Sequence, residues 1–130
     1  MKIIVVPKNK LKEIYNISNT ILISITSDEP AITNFEEKDI LRLYFDDVDS
    51  IIHGRLLSES DANKIKYFII NNKKHVNTII CSCDAGISRS SAIAAALMYW
   101  INGSDNEIWD NPRYVPNRFV YRTLLNVFFE

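Results

Sequence analysis

Apolar positions along the chain alternate between two spacings. Ile3-Ile4-Val5-Val6 is an unbroken β-branched run, the pattern of a strand covered on both faces. Ile21 to Thr26 predicts a second strand, Leu41 to Phe45 a third and Thr78 to Cys81 a fourth. Lys8 to Asn16 predicts a helix with Leu11, Ile14 and Tyr15 on one face. Ser58 is placed to cap a helix running to about Asn71, in which Ala62, Ile65, Phe68 and Ile69 recur at helical spacing. Ala92 to Ile101 is apolar nearly all round, which predicts a central, buried helix ended by Asn102-Gly103. Residues 104–116 read as a loop with one helical turn. Asn117 then caps a last helix with Val120, Leu124, Val127 and Phe128 on one stripe.

Strands alternating with helices predict an α/β fold. The expectation is a single domain over residues 1–130, with a mostly parallel central sheet of four to five strands flanked by helices on both faces. Functional sites of such sheets lie at the carboxyl ends of the strands. The loops after Phe45 and Cys81 both fall at that edge.

Composition narrows the function classes. A chain of 130 residues suits one domain. Its net charge of −1 offers no basic surplus for nucleic acid and no polybasic run for a membrane surface. The apolar run at Ile3 is too short for a signal-peptide core and reads as a buried strand. No stretch approaches the ~20 apolar residues needed to cross a bilayer. Cys81 and Cys83 are too close in sequence to staple a fold, which fits a reducing, cytoplasmic setting.

The chemistry concentrates in Cys83-Asp84-Ala85-Gly86-Ile87-Ser88-Arg89-Ser90, between a predicted buried strand and a buried helix. A turn at that junction aims successive backbone N–H groups into one concavity, a site for a tetrahedral anion. Gly86 permits the curvature. Arg89 offers a planar fork for two phosphate oxygens. Cys83, at the base, is favoured as a thiolate by the amides and by Arg89, and faces the bound phosphorus as a nucleophile.

This segment resembles the signature of the protein tyrosine phosphatase superfamily: Cys, five residues, Arg, then Ser or Thr. The run from Cys83 to Ala92 is similar to the dual-specificity branch, as is Pro116-Asn117 at the head of the last helix. The resemblance implies a protein tyrosine or dual-specificity phosphatase working through a cysteinyl-phosphate. Cys83 would be the nucleophile, and Ser90 would hydrogen-bond its sulfur. The amides of Asp84, Ala85, Gly86, Ile87, Ser88 and Arg89, with the Arg89 guanidinium, would bind phosphate. No metal or cofactor is required, because the cradle supplies the positive charge. The family's general acid is an aspartate on the loop after the third strand. Register favours Asp47, with Asp49 and then Asp46 as alternatives. Expected substrates are phosphorylated proteins or small phosphomonoesters. Phosphoinositide phosphatases usually carry lysines inside the cradle; here it holds Asp84 and no lysine, which argues against polyanions. Arg113, Tyr114 and Arg118 are placed by loop position to reach a substrate.

The chain departs from the family at Ser82, where a histidine is usual. Cys81 reads as a buried strand residue, with a redox partner of Cys83 as the sharper alternative. His53 and His75 read as surface residues, and Trp100 and Trp109 as packing. Asn16-Ile17-Ser18 fits a glycosylation acceptor that a cytoplasmic chain would not use. The main alternative function is a catalytically weak or inactive phosphate-binding pseudo-phosphatase. A sulfur transferase, an arsenate reductase and an RNA 5′-phosphatase fit less well.

Overall fold

The β-branched runs pair side by side in one parallel sheet. The computed structural model describes residues 1–130 and contains four strands. These are β1 (Lys2–Pro7), β2 (Thr20–Thr26), β3 (Ile40–Tyr44) and β4 (Thr78–Cys83), in the order β1-β4-β2-β3. Every neighbouring pair is parallel. Cys81 lies between Val5 and Ile23, and Ser82 between Val6 and Ser24. β2 is buried along its whole length, and β4 from Ile79 onward. That burial explains their lack of polar–apolar alternation. β4 extends to Cys83, two residues beyond the expected end, so Cys83 closes a central strand.

Three helices pack on one face: α1 (Glu59–Asn72), α2 (Arg89–Asn102) and α4 (Arg118–Phe128). A single turn, α3 (Asn106–Trp109), interrupts the loop before α4, as expected. α1 begins in a reciprocal cap: Ser58 Oγ accepts from the Asp61 amide and the Asp61 carboxylate accepts from the Ser58 amide. α2 is buried continuously from Arg89 to Met98 and ends at Gly103, whose φ of +84° suits the left-handed stop.

The opposite face differs from expectation. Lys8–Glu13 forms a 3-10 turn, not an α-helix reaching Asn16. The amide of Ile14 bonds back to the Leu11 carbonyl, and three residues per turn bring only Leu11 fully into the core. Tyr15 is 77% exposed. Leu11, Ala31 and Phe35 cover Leu22, Ile40 and Ile80 there. The α-helices therefore sit on one face, while a 3-10 turn and an irregular segment seal the other. No helix is long and apolar enough to cross a membrane.

Ile65 is wholly buried between α1 and the sheet. Ile65→Ala is expected to lower stability by about 2–5 kcal/mol, read as a reduced urea midpoint with an unchanged slope.

Candidate active site

The junction of β4 and α2 forms a concave loop. Gly86 adopts a φ of +70°, and a Cβ there would lie 3.0 Å from backbone atoms of Pro7 at the end of β1. Only glycine meets both demands. Two carbonyls at the end of the loop are taken up in bonds. The Ile87 carbonyl accepts from Ser91 Oγ and the Val115 amide, and the Ser88 carbonyl from the Ala92 and Asn117 amides. The amides of Asp84 through Ser88 donate to no group of the protein. A run of free N–H groups beside Cys83 is a receptor for an anion.

Arg89 opens α2 and is buried, with 6% exposure. Its guanidinium is held from three directions. One terminal nitrogen donates to the Phe45 carbonyl (2.8 Å) and to Ser27 Oγ (3.0 Å). The other donates to Asp84 Oδ2 (2.9 Å). Nε is buried and has no partner. A buried, charged donor without an acceptor is costly unless a ligand supplies one. Asp84 also accepts weakly from the Ser27 amide (3.4 Å), and Lys8 lies 3.8 Å away. Cys83 Sγ lies 3.1 Å from Ser90 Oγ, and both residues are buried.

The three aspartates after β3 have separate surroundings. Asp46 Oδ2 accepts from the Arg55 amide (2.8 Å), and a Cβ on Gly54 would strike that oxygen at 2.5 Å. This bond, reinforced by Ser27 and the nearby charges of Arg89 and Arg55, holds the Asp46 carboxyl below the usual carboxylate range. Asp46 thus clamps its own loop to the Arg55 backbone. Asp47 Oδ1 accepts from Ser88 Oγ (2.8 Å) and Asn117 Nδ2 (3.0 Å), which fixes it at the rim of the concavity. Its Oδ2 makes no such bond. Asp49 is exposed and faces a groove farther out.

Cys83, Arg89, Ser90, Asp47 and the loop amides therefore converge at one sheet edge. Ser82 is 1% exposed and its hydroxyl has no partner. Cys81 is fully buried, and desolvation, with the neighbouring Cys83, pushes its thiol well above the ordinary range. Trp100 stacks on Phe128 and Trp109 packs edge-on against Tyr121. His53 and His75 are exposed, though His53 lines the outer groove. Arg118 lines that groove as well, whereas Arg113 does not and Tyr114 packs against the core. No three His, Cys, Asp or Glu side chains gather to hold a metal ion.

Three contributors were not foreseen. Ser27 and the Phe45 carbonyl anchor Arg89, and Asn117 clamps Asp47 while its Oδ1 caps α4 through Val120. Ser27 and Phe45 carry no motif, since their roles follow from where two strands end. Asn117 had a signal as a helix cap, which does not reveal the second bond.

No protein-family model and no curated protein matches the sequence. Solved structures do match. The PTP-2 phosphatase of Cydia pomonella superposes with a TM-score of 0.62 at 16% identity, over 92% of this chain and 76% of that one. PTPMT1 in complex with PI(5)P gives 0.64 at 16% identity, over 98% and 90%. The human tyrosine phosphatase-like serine/threonine/tyrosine-interacting protein gives 0.58 at 18% identity, over 83% and 76%. On this evidence the chain has the α/β fold of the dual-specificity and tyrosine phosphatases.

Proposed function

We propose that the protein is a phosphoric monoester hydrolase of the protein tyrosine or dual-specificity type, working through a cysteinyl-phosphate on Cys83. The observation that carries this is that one loop, Cys83 to Arg89, combines a buried Arg89 Nε without a partner, a run of free amides and the Cys83 sulfur. These donors match a phosphoryl group and its transition state. The Cys83 thiolate attacks phosphorus, and the bond to the ester oxygen breaks. Asp47 gives its proton to the departing oxygen. Water then attacks the cysteinyl-phosphate, Asp47 takes the water proton, and the sulfur–phosphorus bond breaks to release inorganic phosphate. Ser90, 3.1 Å from the sulfur, hydrogen-bonds the departing thiolate. Arg89 and the amides carry the charge throughout, so no metal or cofactor enters the scheme.

The rim favours protein substrates. Ile87 and Val115 are joined by a backbone bond and are 42% and 67% exposed, offering apolar surface to an aromatic leaving group such as phosphotyrosine. Asp84, its side chain 40% exposed, places a negative charge in the cradle. That charge disfavours polyanionic headgroups, although a neighbour in fold was solved with PI(5)P.

Hydrolysis of para-nitrophenyl phosphate with chelator present tests the assignment. Cys83→Ser is expected to abolish turnover, and Asp47→Ala to reduce kcat about a hundred- to ten-thousand-fold. Absence of turnover in freshly reduced wild type would leave a phosphate-binding module. Asp84 separates position from charge. Asp84→Asn keeps an acceptor for Arg89 and is expected to lower KM several-fold with kcat retained. Asp84→Ala frees the guanidinium and is expected to reduce kcat about tenfold. Identical kcat and KM in both variants would remove Asp84 from the site.

A further inference from the structure

A groove of about 880 Å³ begins at Asp47 and Ser88, at the rim of the cradle, and contains neither Cys83 nor Arg89. One wall is the loop with Val48, Asp49 and His53. The other is α4, with Arg118, Arg122, Thr123 and Asn126. The two arginines are one helical turn apart on the same face. Neither forms an ion pair: Arg118 lies over the Trp109 ring at 5.3 Å, and Asp49 across the groove pairs with neither. Their position opposes stability. Arg118 stands in the first turn of α4, at the positive end of its dipole, and that turn holds no acidic residue to offset it. Like charges at this spacing also repel.

We infer that this groove docks an acidic segment of a phosphoprotein substrate, with Arg118 and Arg122 receiving carboxylates that flank the phosphorylated residue. The inference rests on the phosphatase assignment and names the substrate class of that site. The loop wall carries Asp47 and Asp49, so the acidic segment is received along the α4 wall, where Arg118 and Arg122 supply the complementary charge and Thr123 and Asn126 add polar contacts. Two apolar residues that precede His53 on the same loop select a polypeptide: Ile51 and Ile52 are 80% and 85% exposed. A partner with both acidic and apolar side chains covers such a surface, whereas a small phosphomonoester leaves it bare. Asp47 ties the groove to the chemistry, because Asn117 fixes it between α4 and the cradle.

The test uses paired phosphotyrosine peptides, identical except that flanking Asp and Glu are replaced by Asn and Gln. Wild type is expected to prefer the acidic peptide about three- to tenfold in kcat/KM, less at high salt. Arg118→Glu/Arg122→Glu is expected to lose that preference and to favour a lysine-flanked peptide, with para-nitrophenyl phosphate turnover unchanged. Intact para-nitrophenyl phosphate turnover without an acidic preference would overturn the groove assignment alone. Absent turnover on every substrate would count against the phosphatase assignment. In that case fluorescence anisotropy of the same peptides on the Cys83→Ser variant decides the groove: affinity that ignores flanking charge and the arginine pair overturns it. Hydrolysis of phosphoinositide vesicles that depends on Arg118 and Arg122, while peptides ignore them, would replace the peptide with a lipid headgroup.

Discussion

The site depends on one buried cation. Arg89 brings a guanidinium to a place with little water, and a buried charge survives only when its donors are met. Its partners come from three chain segments: Ser27 after β2, the Phe45 carbonyl after β3, and Asp84 after β4. The ends of three parallel strands are thereby drawn to one point. With the two terminal nitrogens anchored, Nε is left as a directed donor. The contacts that hold the arginine also define the vector along which it meets a ligand.

A second junction couples chemistry to the last helix. Asn117 uses one end of its amide to cap α4 and the other to hold Asp47 and the Val48 carbonyl. Ser88, at the entrance to α2, grips the same Asp47 oxygen. The general-acid candidate is therefore positioned by two helix starts and not by its own loop. Asp46 serves differently, since its bond to the Arg55 amide shapes the loop that presents Asp47. Adjacent carboxylates differ in their surroundings because one is tied to backbone and the other to the cradle.

Local stability is given up around this edge. Ser82 buries a hydroxyl without a partner, and Arg118 stands at the positive end of α4 with Arg122 one turn away. Such departures from optimal folding gather where function imposes its own demands. The extended apolar core beneath, from β2 through α2, offsets them.

Strand runs, helix stripes, Ser58, Asn117 and Gly103 were legible in the sequence because burial period and capping chemistry are local properties. So were Cys83, Arg89 and Ser90, whose fixed spacing needs only a strand, a turn and a helix. Asp47 was legible only as the first of three, because strand register orders adjacent residues without revealing what each one touches. The 3-10 turn at Lys8–Glu13 was misread as an α-helix, since Leu11 and Ile14 fit either period over so short a stretch. The anchors of Arg89, the second bond of Asn117 and the groove with Arg122 required the tertiary structure. Each joins residues far apart in the chain, and the chance of their meeting is set by strand order and helix packing. The sequence by itself determined which side chains the β4–α2 loop brings together. Only the fold decided which aspartate reaches that loop, which groups aim its arginine, and what surface lies beside it.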